Sequence, residues 1–515
     1  MSDSTHHDDA AQLAALGIEN SQFKREMGLW SNFALGFTYL SPVVGVYTMF
    51  AYALATAGPP MWWSFVIVGC GQLLVACTFG EIVSQFPVAG GVYPWARRLW
   101  GLKYGWLTGW VYMWALIATI SAVAYGAGPY ISTLIGIQVN SGDTVICALA
   151  ILALATIINF SGTKWLSRVA IFGFSAELCG CLAVGFWLLV AHREHGLGVL
   201  FHHYGAGGHG SYFPAFVAGA LIAMWMYYGF EACGDVAEEV PNPSKVIPKA
   251  MRRTIYVGGC SGGFIALALV LGVTNYRAVI SGAEPDPITT TLTQAFGSVG
   301  MKVILAVVLI SYASCVLSLQ AAASRLIYSY SRDKMMIGHH TLAKFWERHH
   351  IPPYALGLAT VIPAAIIILS LISANAVVQL VSFAACGIYV GFQMVVLAAL
   401  RGHIKGWKPS GGWTMGRWGI VVNALALTYG ILAIVNMCWP RGSGFGNRWM
   451  TVVGLAVVLV VGLVYMATSQ PYQHGDQPYG DAIKNLPMGA KVPATTVPSL
   501  GTDPEATSGP QLETP

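Results

Sequence analysis

Long apolar runs separated by short polar links fill most of this chain. Twelve of them reach the roughly twenty residues that a bilayer core of about 30 Å requires of a helix. Their limits are Leu29–Ala57, Met61–Gln85, Tyr104–Tyr130, Thr144–Phe160, Trp165–Ala191, Pro214–Ala237, Ile255–Tyr276, Val299–Tyr328, Ala355–Ser373, Ala376–Arg401, Trp418–Trp439 and Trp449–Thr468. The pattern predicts an all-α polytopic membrane protein. Residues 1–28 read as a polar N-terminal tail and 192–213 as an outer loop, while 469–515, rich in Pro, Gly, Thr and Ser, holds too little apolar surface to fold and is expected to be disordered.

Two of the runs are interrupted. Ser41-Pro42-Val43-Val44-Gly45 lies inside the first and Gly229-Phe230-Glu231 inside the sixth, so each break opens a group of five spans, 29–191 and 214–401, with 402–468 supplying two more. A broken helix in lipid leaves peptide groups without partners and persists only where it lines a cavity. Paired breaks in two halves point to the binding site of a secondary transporter. Pro42 removes helix hydrogen bonds and Gly45 tolerates open backbone. The amides of Val43 to Gly45 would then face the cavity at the start of a half-helix, where an anion is favoured. A simple proline kink is the alternative for that segment taken alone. In the sixth run a helix from Pro214 to Tyr228 rises roughly 22 Å, short of the core thickness, which puts Glu231 at depth. Carbonyls near Trp225 to Tyr228 would face a cation, so the two breaks together suit a zwitterion.

Composition agrees with this picture. Of 515 residues, 55% are hydrophobic and 10% charged, and the mean hydropathy is +0.61. Those values exclude an ordinary soluble domain. The net charge of +5 is a topology signal rather than a nucleic-acid footprint, because Lys and Arg gather in alternate loops. Arg97, Arg98, Lys103, Lys164, Arg168, Lys245, Lys249, Arg252 and Arg253 lie on one side, which the positive-inside rule makes cytoplasmic together with both termini. The polar start, with no apolar leader, leaves the first span as its own insertion signal. The ten cysteines lie in or beside apolar runs, without disulfide or zinc spacing, and read as small packing residues.

Buried acids are few. Glu177 in the fifth run and Glu231 in the sixth lie well inside, with Glu81 and Asp235 nearer the cytoplasmic ends. An acid within the membrane is a functional candidate by default, for gating or proton movement. Gly205-Ala206-Gly207-Gly208-His209-Gly210 matches a dinucleotide fingerprint but has no strand before it. Gly259-Cys260-Ser261-Gly262-Gly263 matches a nucleophile elbow but sits inside the seventh run, where small residues serve packing. No nucleophile and base pair emerges, and an enzyme is not expected.

From Met27 to Arg401, and more weakly to Thr468, the chain resembles the amino acid–polyamine–organocation superfamily, and within it the amino acid and choline branch that includes GABA permeases. The residues that carry the resemblance are Gly80-Glu81-Ile82-Val83-Ser84-Gln85-Phe86-Pro87-Val88-Ala89-Gly90-Gly91-Val92-Tyr93-Pro94-Trp95, Gly229-Phe230-Glu231, Ala237-Glu238-Glu239-Val240-Pro241-Asn242-Pro243-Ser244, Ile247-Pro248-Lys249-Ala250, Ser324-Arg325 and Arg332-Asp333. The resemblance implies the leucine-transporter-type fold, two inverted five-helix repeats plus two helices, in a permease of the plasma membrane. It implies that Ser41, Val43, Val44 and Gly45 receive a substrate carboxylate, that Trp225 and Tyr228 receive the amine, with Trp225 as a gate, and that Glu231 serves gating or proton coupling. Some relatives carry a fifth-span lysine where this chain offers Glu177. The expected partners are an amino acid or GABA-like substrate and the lipid bilayer, with no nucleic acid and no cofactor. The coupling ion is expected to be the proton, with sodium and exchange left open. The alternatives are a choline, ethanolamine or polyamine carrier and a nutrient sensor that does not translocate.

Overall fold

A computed structural model describes residues 23, 25–208, 210–372, 375–441, 448–475 and 477–482. Expectations for residues 1–22 and 483–515, and for His209 and Ser373, lie outside them. Helices make up almost all of the described chain, because in lipid every backbone group must be paired within its own segment.

The first span is two helices, α1 (Leu29–Leu40) and α2 (Pro42–Ala57), joined at Ser41. The next four spans are α3 (Trp63–Gln85), α5 (Leu102–Ile135), α6 (Ser141–Phe160) and α7 (Thr163–Ala191), with the short α4 (Val92–Trp100) lying between α3 and α5. The second half begins with α8 (Phe213–Gly219), α9 (Leu221–Met226) and α10 (Ala232–Asp235), followed by α11 (Pro243–Gly272), α12 (Tyr276–Ile280), α13 (Pro287–Arg332), α14 (His339–Leu342), α15 (Pro353–Leu369) and α16 (Ala376–Ile404). Two further spans are α17 (Gly419–Cys438) and α18 (Met450–Ser469). Among the described residues eleven helical segments are long and apolar enough to cross a membrane, and the sixth expected span is the exception. Its apolar part, Phe213–Met226, stops at the second break, so no unbroken helix of spanning length remains there.

Burial separates the spans. α5 is almost wholly inside the bundle, whereas α18 shows most of its surface outward, with Val453, Val457, Val460 and Val464 exposed as a lipid-facing helix requires. The Gly259 to Gly263 stretch packs as expected, since Gly259 abuts Tyr227 and Gly262 abuts Met226 and Pro42. Small residues on α11 thus let it lie directly against both breaks.

The face where the described residues begin and end is tied together by ion pairs, most of them among the segments that carry the family resemblance. Arg97 pairs with Asp333, which also accepts the Tyr93 hydroxyl at 2.8 Å; Arg325 reaches Glu239 at 2.9 Å and Arg332 reaches Glu238 at 3.1 Å. The tails differ from expectation. Phe23 and Met27 are buried, with the Met27 amide donating to the Glu239 carbonyl at 3.0 Å. The start of the supposedly disordered C-terminal tail is also packed, with Pro471 and Ala482 buried. A few apolar side chains suffice where neighbouring elements offer a ready surface, which tail composition alone does not reveal.

Candidate functional site

At the first break, the amide of Ser41 closes α1 on the Phe37 carbonyl at 2.7 Å, and the residue then adopts a positive φ of 40°. Pro42 opens α2 and brings no N–H, so three first-turn amides need partners. Val43 N–H donates to Glu177 Oε1 at 2.9 Å, Val44 N–H to the Ser41 Oγ at 3.3 Å, and Gly45 N–H to the Ser41 carbonyl at 2.9 Å. The Ser41 hydroxyl in turn donates to Glu177 Oε1 at 2.7 Å. A carboxylate from α7 therefore occupies the helix N-terminus where the sequence suggested open amides awaiting a substrate. The amides from Val43 to Gly45, expected to face the cavity, are thus each bonded within the protein in this structure.

The second break has the same logic. Gly229 stands at φ 116°, its N–H donates to Glu231 Oε2 at 2.7 Å, and Glu231 Oε1 accepts the Tyr112 hydroxyl of α5 at 3.1 Å. Both breaks are thus latched by a fully buried acid. They also touch: a Cβ on Gly229 would lie 2.5 Å from the Leu40 amide nitrogen, and one on Gly45 would lie 2.6 Å from Met226 Cγ. Only glycine allows the two chains to cross at these points.

Around this crossing lies a small enclosed cavity. The first span contributes Tyr39, Leu40, Val44 and Gly45, the sixth Trp225 and Tyr228, α5 contributes Thr119 and Val123, and α13 contributes Cys315. The empty volume among these side chains is about 200 Å³. The Trp225 and Tyr228 rings meet edge to face at 5.5 Å, Tyr228 does the same with Tyr39 at 6.3 Å, and its hydroxyl lies 3.5 Å from that of Thr119. Toward the far end of α2, the Tyr130 hydroxyl donates to the Tyr47 carbonyl at 2.8 Å, and Thr48 and Tyr312 hydroxyls bond at 2.8 Å. The cavity is closed on both sides.

Four of the expected substrate residues, Val44, Gly45, Trp225 and Tyr228, line this cavity together. Ser41 and Val43 are turned to Glu177 instead. Glu231 and Glu177 hold the breaks from outside the lining. Glu81 stands apart from both. It meets His403 at 3.2 Å and accepts the Met415 amide at 2.7 Å, fastening the loop after α16 to the end of α3. Tyr39, Leu40, Thr119, Val123, Cys315 and Tyr112 were not singled out by the sequence. Thr119 and Val123 sit four apart on one helical face, the only local sign they give. Among the described residues no group of three His, Cys, Asp or Glu side chains could hold a metal ion.

Comparison with known proteins matches residues 27–471 to a family model described as amino acid permease. The chain is 25% identical over 487 residues to an amino-acid permease BAT1 homolog of Oryza sativa subsp. japonica, covering 88% of this chain and 92% of that one. It is 25% identical over 519 residues to amino-acid permease 2 of Neurospora crassa, covering 96% and 92%. Among solved structures, a manganese transporter of Eremococcus coleocola superposes with a TM-score of 0.57 at 11% identity, over 88% of this chain and 98% of that one. At that identity the likeness speaks for the leucine-transporter-type fold alone.

Proposed function

This chain belongs to the amino acid permease family, a family of transporters and not enzymes, and we propose that it carries an amino acid or a GABA-like zwitterion by alternating access, coupled to protons through Glu231. We place it in the plasma membrane with both termini cytoplasmic, on the strength of the Lys and Arg asymmetry.

The observation that carries this reading is the crossing of the two breaks over a closed cavity whose lining contains no ionised side chain. A zwitterion needs none. Its carboxylate would take the Val44 amide at the N-terminal end of α2 from the Ser41 hydroxyl, while Glu177 keeps that of Val43, and its ammonium is favoured by the carbonyl end of α9 near Trp225 and Tyr228. A choline, ethanolamine or polyamine carrier is the second reading, because Tyr39, Trp225 and Tyr228 are aromatic and could face a cation. It is disfavoured because both nearby acids are directed to backbone amides rather than to the cavity.

The deciding experiment is uptake in proteoliposomes under competition by neutral, basic and acidic amino acids, GABA, choline and putrescine. Amino acid or GABA competition with no effect of choline and putrescine supports the proposal, and the reverse supports the second reading. Specific binding without flux would instead identify a sensor. In the same assay Trp225→Ala is expected to slow turnover by about tenfold while changing substrate affinity by less than about threefold, because a residue that covers the bound substrate acts on occlusion. Normal turnover in a well-folded variant would reduce Trp225 to packing.

A further inference from the structure

The chain does not leave the molecule after its last span. Gln470 turns it in a left-handed conformation, φ 44°, and a single turn over Pro471–His474 buries Pro471. The Tyr472 ring lies 5.0 Å from the Lys103 ammonium, at the start of α5. Farther on, Gly480 N–H donates to the Arg97 carbonyl at 3.1 Å and Ala482 N–H to the Arg98 carbonyl at 3.4 Å. Asp481 pairs with the Arg98 guanidinium.

These two carbonyls lie in the last turn of α4, where that of Arg97 also accepts the Gly101 N–H at 2.9 Å, so the tail adds a second donor to Arg97 and one to Arg98. The tail therefore caps α4 with backbone donors and a charge. On its other side α4 is held by Arg97 and Tyr93 to Asp333, directly after α13, and α13 lines the cavity through Cys315. The Trp106 indole N–H adds a bond of its own, donating to the Met335 carbonyl at 3.0 Å. Tail, α4 and the end of α13 form one continuous layer across the face where the described residues begin and end.

We propose that the tail residues 471–475 and 477–482 act as an inhibitory strap, which when docked on α4 holds this face closed and when released lets the carrier turn over faster. Alternating access requires this face to open, and contacts made in the closed state alone lower the population of the open one. The Arg98–Asp481 pair suits a releasable contact: Arg98 is buried, while the Asp481 side chain is 26% exposed and within reach of solvent ions. The inference requires alternating access but no particular substrate or coupling ion.

The test uses the full-length carrier, Asp481→Lys, which sets a like charge against Arg98, and a chain ended after Gln470. Initial uptake of radiolabelled alanine and of radiolabelled GABA into proteoliposomes is expected to rise about threefold or more in both variants, with little change in half-saturation. Rates at or below those of the unaltered chain, in variants that melt at its temperature, overturn the strap. Should the shortened chain melt early, Asp481→Lys decides alone. Should the unaltered carrier take up neither compound, the transport reading is at fault for those substrates and amide hydrogen exchange decides the strap: faster exchange over 92–100 in Asp481→Lys supports it, and unchanged exchange overturns it.

Discussion

Valine in place of Gly45 is expected to lower uptake by about tenfold to a hundredfold while leaving expression and membrane insertion intact. The Cβ it adds would lie 2.6 Å from Met226 Cγ, 2.7 Å from its Cβ and 3.0 Å from its backbone Cα, so the half-helices α2 and α9 must move apart. Overpacking of this kind costs about 1–3 kcal/mol, enough to deplete the assembled site by up to roughly a hundredfold. From the sequence, Gly45 reads as a position that lets the substrate approach backbone; the structure assigns the open side of that glycine to Met226 instead. Alanine carries the same Cβ and should also impair uptake, to a lesser degree because it lacks the branch. Uptake at the normal rate by Gly45→Val in vesicles of matched protein content would show that the close crossing is dispensable.

Glu231→Gln is expected to flatten the pH dependence of transport and to reduce proton-driven accumulation by about tenfold or more, while exchange of internal for external substrate persists. Gly229 N–H and the Tyr112 hydroxyl both donate to this side chain. A glutamine keeps an oxygen for the Gly229 amide, and its amino group can donate to the Tyr112 oxygen once that hydroxyl turns. The break stays capped, but no proton can be taken up or given off there. In the acid itself, a proton on Oε1 is accommodated in the same way once the Tyr112 hydroxyl turns, whereas a proton on Oε2 is set against the Gly229 N–H, which disturbs the cap and so couples protonation to the backbone at the crossing. A set of uptake measurements across pH, with and without an imposed proton gradient, is the check. If the variant keeps a steep profile and accumulates substrate on the gradient, Glu231 is a cap only and Glu177, which holds the other break through Ser41 and Val43, becomes the group to replace.

The helical spans, the two breaks and the family were legible because they rest on local features. An apolar run of spanning length has few structures open to it in lipid. Pro42 removes an amide donor whatever surrounds it, and Gly229 accepts a positive φ that other residues resist. The acids Glu177 and Glu231 stood out because ionisable residues inside apolar runs are rare. Glu81 stood out for the same reason and serves a different end, bound to His403 in the last turn of α16, eight spans later.

What the tertiary structure alone decided is which way each of these groups turns. Ser41 and Glu177 are 136 positions apart, and Tyr112 and Glu231 are 119 apart. Nothing in either neighbourhood says that a carboxylate will take the Val43 amide, leave Val44 and Gly45 on the cavity, and turn Ser41 away from it. The same holds for Thr119, Val123 and Cys315, ordinary residues of long helices that become cavity wall only because α5 and α13 pack beside the crossing. The tail after Gln470 is too polar to fold alone, and it docks because the last turn of α4 offers carbonyls that accept its amides and an arginine that pairs with Asp481. Periodicity and backbone chemistry act over a few residues and are written in the chain; the pairing of donors with acceptors across the bundle depends on helices meeting in space, and that was decided by packing.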